Sequence, residues 1–259
     1  LRHFAFGRAD NLPFKPYAPR PEQTLAFYPR APERMEYVSS KKIITRSSSV
    51  LIGQYTERTN RHIGGPDFIA LLVNFQPGVL HRITGMDYAL LTDTDVDAEA
   101  VFSKQLPAVN RRLNSAESYG EMIRIVDVFL LDLVRPLAGN MHPIDRVSHL
   151  LAVRPQDVSV LQLAEDACLS RRQFERKFRQ RVGVSPRLYL RIARMHQAFR
   201  LRYRAPQTDW LSIALACGYY DYQHLAKDFL AFAGVLPGAY VLEDTLSPEQ
   251  ALGLRDSSL

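Results

Sequence analysis

Cysteine is nearly missing from this chain. Cys168 and Cys217 are the two present in 259 residues, too few for a disulfide framework and without metal-ligand spacing, so both are expected to be reduced, partly buried small residues. Long apolar runs are missing too. The greasiest stretch, Val126–Val134, is interrupted by Asp127 and Asp132, well short of the ~20 residues a membrane span needs. No basic-then-apolar leader opens the sequence. Together these absences favour a cytoplasmic protein without a membrane partner.

Catalytic and metal signatures are sparse. His62 and His81 are the histidines that could belong to a β-domain metal site, but no His-x-His pair or acidic ligand accompanies them, so no metal is expected. Gly64-Gly65-Pro66 lacks the Lys-Ser/Thr of a phosphate loop. Asp93, Asp95 and Asp97 alternate without the glycine and distal glutamate of a calcium loop. No defensible Ser-His-Asp or Cys-His arrangement exists, so neither catalysis nor a cofactor is expected.

What the chain does have is a repeat in its last third. Phe174, Phe178, Gly183, Pro186 and Tyr189 recur as Leu225, Phe229, Gly234, Pro237 and Tyr240, always 51 residues on. Ala164 and Cys168 recur as Ala214 and Gly218 at an offset of 50, which puts one extra residue in the second copy's turn. Each copy reads as a helix-turn-helix. In the first, Ser159 caps a supporting helix, Cys168 and Leu169 turn, and Ser170 caps a second helix that Gly183 stops. In the second, Leu211–Cys217 supports, Gly218 turns and Asp221 caps.

Charge marks the partner. Between Arg171 and Arg204 stand twelve basic residues and one acid, Glu175, although the whole chain carries only +6. The remainder is therefore net acidic, and the concentrated stretch points to a polyanion. At 100° per residue Phe174 and Phe178 anchor one face of the first unit's second helix. Arg171, Arg172, Gln173, Arg176 and Arg179 fall on or beside the outer face, with donors suited to base edges in a major groove. The second unit offers Tyr222, Gln223, His224 and Lys227, a less basic set suited more to positioning. Arg187–Arg204 joins the units without Gly or Pro. As a helix of about 27 Å it can hold two recognition helices about one DNA turn, roughly 34 Å, apart. Arg187 and Arg191 on it are candidate phosphate contacts.

Residues 1 to about 95 read as β structure, an antiparallel sandwich or small barrel, with runs at Thr24–Tyr28, Lys42–Thr45, Val50–Tyr55 and Phe68–Phe75 and a turn at Pro77-Gly78 into a further strand, Val79–Ile83. Helices at Asp97–Ser103 and Leu106–Leu113 follow. Ser118 with Glu121 gives a capping box for a longer helix, whose stripe of Met122, Ile125, Val126, Phe129, Leu130 and Leu133 packs on its own domain or on a second copy as a homodimer. A hinge is expected at Leu137–Pro143, near Gly139 and Asn140, then a helix to Ala152. The fold class is α+β, with segments 1–136 (sensing or dimerisation), 137–156 (linker), 157–242 (DNA binding) and 243–259 (tail).

The runs Leu163-Ala164…Ser170…Phe174…Arg176…Phe178…Gly183…Ser185-Pro186…Tyr189 and Ile213-Ala214…Cys217-Gly218-Tyr219…Asp221…Lys227-Asp228-Phe229…Gly234…Pro237…Tyr240 resemble the AraC/XylS family of bacterial transcription regulators. The resemblance covers about residues 157–241. It implies an all-α domain of two helix-turn-helix units on a linker helix, promoter DNA as partner, and control of initiation with RNA polymerase. Departures stand at Cys168 (usually glycine), Leu230 (commonly basic) and Leu236 (commonly a small hydroxyl residue). Val73-Asn74-Phe75-Gln76-Pro77-Gly78 and Leu91-Thr92-Asp93 are similar to the family's amino-terminal domains, often cupin-like sensors, which implies a small-molecule effector of unknown identity or, in a degenerate version, constitutive binding. A DNA-repair-linked regulator would need a reactive cysteine outside the helix-turn-helix units, and both cysteines lie inside them.

Overall fold

The computed structural model describes residues 2–5, 14–65, 67–137 and 142–247. Among the described residues the amino-terminal half holds the strands β1 (Arg2–Ala5), β2 (Phe14–Tyr17), β3 (Gln23–Phe27), β4 (Glu33–Tyr37), β5 (Lys42–Thr45), β6 (Ser49–Ile52), β7 (Thr59–Ile63), β8 (Asp67–Phe75) and, after a short helix, β9 (Asp95–Asp97). They form two antiparallel sheets, β1-β8-β3-β6-β9 and β2-β7-β4-β5. β2 lies at a sheet edge, where Pro16 costs no ladder bond.

β3 and β6 are buried along their whole length because their sheet is sandwiched. Ala26, Tyr28, Val50 and Ile52 face the second sheet. Their alternates Leu25, Phe27 and Leu51 face the helices that follow. Those are α1 (Val79–Thr84), α2 (Ala98–Val101), α3 (Leu106–Ser115) and α4 (Tyr119–Val134). The Ser118 side chain accepts from the Glu121 amide at 3.2 Å, as its capping role requires. Met122, Ile125, Val126 and Phe129 are buried in the shared core, with Phe129 edge-on to Phe27 at 6.4 Å. The stripe thus packs on its own domain, while Ile123, Val128 and Leu131 are exposed.

Val79–Ile83 is a helix instead of the expected strand. Gly78 takes a left-handed conformation with φ 85°, so the chain coils where a hairpin was anticipated, and only Leu80 reaches full burial. The helix expected from Asp97 starts one residue later, after β9 pairs with β6. The expected hinge residues Gly139 and Asn140 lie outside the described residues, as does the tail from 248 onward.

Between the sheets sits a buried ionic cluster. The Arg46 guanidinium reaches Glu33, Asp95 (2.7 Å) and the Tyr28 hydroxyl (3.1 Å). Arg46 is 4% exposed. Burial pushes Glu33 upward, but Arg46, Arg61 and Tyr28 overcome it and hold the carboxyl below its ordinary value. Tyr55 bonds Asp95 at 2.8 Å. The interior that a small barrel would offer a ligand is therefore filled by charge pairs.

The carboxyl half contains α5 (Pro143–Val153), α6 (Val160–Asp166), α7 (Arg171–Val182), α8 (Pro186–Arg204), α9 (Trp210–Ala216), α10 (Tyr222–Ala233) and α11 (Pro237–Thr245). It has two cores on opposite ends of α8. One gathers Ile144, Leu151, Leu163, Phe174, Phe178 and Tyr189; the other gathers Ile192, Phe199, Ile213, Leu225, Phe229 and Tyr240. α5, inside the expected linker, thus contributes to the first core. Among the described residues no single helix is long and apolar enough to cross a membrane.

Candidate nucleic-acid interface

The repeat is realised nearly atom for atom. In the first unit Ser170 caps α7 with a full capping box: its hydroxyl accepts from the Gln173 amide, and the Gln173 side chain accepts from the Ser170 amide at 3.1 Å. In the second, Asp221 caps α10 by accepting from the His224 amide at 2.7 Å. The turn between α6 and α7 spans 167–170 and that between α9 and α10 spans 217–221, so the extra residue is where the offset placed it. Cys168 and Gly218 both have positive φ, 54° and 77°. The same left-handed turn is thus made by a cysteine in one copy and by glycine in the other, at some cost for the former. Cys168 is exposed and only Cys217 is buried, which corrects the expectation for Cys168. A left-handed corner at the surface points that side chain to solvent.

Phe174 and Phe178 are fully buried, with ring centroids 5.9 Å apart, and Phe178 meets Tyr189 edge-on at 5.5 Å. This fixes the rotation of α7 and leaves Arg171, Arg172, Gln173, Arg176 and Arg179 exposed. Arg171 is also paired along the helix with Glu175 at 3.0 Å. The carbonyl end of Gln173 is engaged by the cap, so its amide nitrogen is the group left for a partner. On α10, Leu225 and Phe229 are buried, while Gln223, His224 and Lys227 are exposed and Tyr222 is half-buried. The His224 ring stands edge-on to Tyr219 at 5.3 Å, which steadies it at the start of the helix.

The two units open onto one groove of about 610 Å3. Arg171 from α7 and His224 from α10 line it together with Arg187, Arg191 and Arg194 of α8 and Ser159 before α6. The leading ends of both recognition helices therefore share a face, and the linker helix floors the space between them with arginines.

Arg187 is exposed and lines the groove. Arg191, itself exposed, is paired within the protein. Its guanidinium donates to Asp228 on α10 at 3.0 and 2.7 Å and lies 4.9 Å over the Phe232 ring. Asp228 also accepts from the Tyr219 hydroxyl at 3.1 Å. Arg194, which donates to the Pro155 carbonyl at 3.2 Å, is a groove residue that sequence reasoning left unassigned; its position in the basic run was the signal.

A family described as a helix-turn-helix domain matches residues 163–242, the span of both units. The match covers about a third of the chain and marks this part as a helix-turn-helix region. An uncharacterized HTH-type transcriptional regulator of Haemophilus influenzae is 38% identical over 88 residues, covering 34% of this chain and 29% of that protein. The HTH-type transcriptional regulator ArgR of Pseudomonas aeruginosa is 28% identical over 120 residues, covering 42% and 36%. This chain thus spans about a third of the curated relatives it matches. In fold, the whole chain is similar to ToxT from Vibrio cholerae, with TM-score 0.50 at 10% identity over 93% of this chain and 96% of that one. The likeness is one of fold: a β domain of two antiparallel sheets ahead of a helical domain with two helix-turn-helix units.

A second concavity, about 490 Å3, lies between the domains. The β domain supplies Glu22, Phe75 and Gln76; α5 and α8 supply His149, Arg200 and Arg204. Burial first, and the neighbouring Arg204 second, depress the Arg200 pKa.

Proposed function

We propose that this protein is a sequence-specific transcription regulator that reads two successive major grooves from one side of promoter duplex. The carrying observation is the shared arginine-lined groove, to which α7 contributes Arg171 and α10 contributes His224. α7 inserts Arg172, Arg176 and Arg179 into one major groove, and α10 inserts Gln223 and Lys227 into the next. The sugar-phosphate backbone between them faces Arg187 and Arg194. Selection from a random-sequence duplex library with the full chain, followed by footprinting, tests this. The expected outcome is two protected blocks about 10 base pairs apart. Enrichment of nothing, or of a single block, overturns it.

A small-molecule effector acts through the interdomain cleft in this reading. The cleft joins apolar lining (Phe75, Ala152, Val153) to Arg200 and Arg204, a combination suited to an organic anion. The ToxT fold has been solved with (E)-4-(8-methylnaphthalen-1-yl)but-3-enoic acid bound, a ligand of that kind. Thermal shift of the full chain with aromatic and long-chain carboxylic acids is the check. A shift that disappears in Arg200→Ala/Arg204→Ala supports the reading; no shift with any acid favours constitutive binding.

A further inference from the structure

The repeat-equivalent tyrosines Tyr189, at the start of α8 and buried in the first unit's core, and Tyr240, on α11, donate their hydroxyls to one short segment of the β domain. Tyr189 bonds the Pro21 carbonyl at 2.5 Å, and Tyr240 bonds the Pro16 carbonyl at 3.2 Å. The Tyr240 hydroxyl also accepts from the Ala18 amide at 2.9 Å. Both rings are buried, at 0% and 3% exposure, and Ala18 is itself part of the second unit's core. Burial raises the pKa of both phenols, so each remains a donor at any physiological pH. The segment Pro16-Tyr17-Ala18-Pro19-Arg20-Pro21 carries three prolines, whose fixed φ makes it stiff.

We infer that Pro16–Pro21 is a strap that sets the spacing of the two DNA-reading units, with Tyr189 and Tyr240 as its positioning residues. α8 connects the units along one line. A single rod leaves each unit free to rock about its own packing on the rod. The strap adds a second connection, pinned to the start of the rod at Tyr189, where that ring packs on Phe178 of the first unit, and to the second unit at Tyr240; with the β domain's direct bonds to Arg181 and Gly183 it closes a frame and removes that rocking. The β domain is thereby a structural member of the DNA-reading head as well as a sensor or dimerisation domain. Further pins hold the first unit: Gln23 donates to the Arg181 carbonyl at 3.1 Å, and Thr92 donates to the Gly183 carbonyl at 2.8 Å. On the second unit Arg58 pairs with Glu243 at 2.6 Å. Any movement of the β domain then reaches the DNA as a change in the distance or angle between half-sites.

The inference rests on the proposed DNA-reading function, and its test separates the two. Spin labels go on Gln180→Cys and Ala231→Cys, exposed repeat-equivalent positions on α7 and α10, in a Cys168→Gly background of the full chain, with buried Cys217 left in place. The pairwise distance distribution is measured with and without Tyr189→Phe/Tyr240→Phe. A distribution that broadens in the double variant is expected; one that keeps its width overturns the strap, whatever the DNA result. On duplexes selected by the wild-type chain, one base pair inserted between half-sites should cost about tenfold in affinity. In the variant that penalty should fall at least about threefold, with binding to the uninserted site little changed. An undiminished penalty overturns the functional half of the inference. Failure of the wild-type chain to select any duplex refutes the DNA reading, while the distance measurement still decides the strap. Should the double variant fail to fold by thermal melt, Pro19→Gly loosens the strap while leaving both tyrosines in place, and the same two outcomes apply.

Discussion

Asp228, on the inward side of the second recognition helix, takes two hydrogen bonds from Arg191 of the linker helix, at 3.0 and 2.7 Å. The position 51 residues earlier is Lys177, whose ammonium meets His142 at 3.2 Å. Through these positions α10 is tied to the linker helix and α7 to the residue that caps α5. Arg191→Ala should cost about 1–3 kcal/mol of stability by stranding a buried carboxylate. Asp228→Ala in the same background should add much less than it does alone, a coupling that urea melts of the four-member cycle would measure. Strict additivity would show that the pair is only incidental.

Arg187 and Arg176 should part company in DNA binding. With Arg187 as a phosphate contact, as proposed, Arg187→Ala should weaken all sequences alike and lower the salt slope by about 0.9. Arg176→Ala should weaken the cognate site by about 1–3 kcal/mol and relax one base position. Fluorescence anisotropy on a panel of single-base variants at several salt concentrations distinguishes these outcomes.

Gly183 and Gly234 are repeat equivalents with unequal surroundings. Both have positive φ, 102° and 73°. A Cβ on Gly183 would lie 3.0 Å from the Tyr88 carbonyl oxygen, whereas one on Gly234 meets nothing within 4 Å. Gly234→Ala should therefore cost about 1–2 kcal/mol from backbone strain alone. Gly183→Ala should cost more and also loosen the β domain, seen as faster amide exchange at Thr92 and Gln23.

Cys168→Gly should raise stability by about 1 kcal/mol, because a left-handed φ of 54° burdens any residue with a Cβ. In the folded wild-type chain one thiol should react rapidly with a disulfide reagent and the buried Cys217, its pKa raised to about 12 by burial, should not.

Glu33 ties stability to acid. Its folded pKa lies below the ordinary 4.5, so the stability it contributes is full above that value and is lost as pH falls through the lowered folded value. Glu33→Gln should lower stability at neutral pH by about 3 kcal/mol and flatten that acid limb. A denaturant series from pH 3 to 7 provides the comparison.

The chain's last third was legible because its helices obey short-range rules. Capping by Ser159, Ser170 and Asp221, stops at Gly183 and Gly234, and buried aromatics at fixed spacing are local properties, and the 51-residue echo confirmed them against each other. The exposed faces of α7 and α10 follow from helical period once Phe174 and Phe229 are placed. Long-range partners do not follow. The pairing of Arg191 with Asp228 was not legible, because its mate is 37 residues away and on another helix. The Val79–Ile83 run reads as a strand by composition, yet Gly78 and the core around Leu80 made it a helix. Arg46, Glu33 and Asp95 are scattered charges in the sequence, and only the stacking of two sheets brings them into one buried cluster.

The amino acids alone thus determined two capped, twinned helical units and a stiff basic rod, because caps, stops and periodicity act within a few residues. Tertiary structure decided which arginines face solvent, that the rod's basic side floors a groove shared by both units, and that one proline-rich segment touches Tyr189 and Tyr240 together. Those depend on packing between elements far apart in the chain, where the hydrophobic burial of one face dictates what every charge on the other can reach.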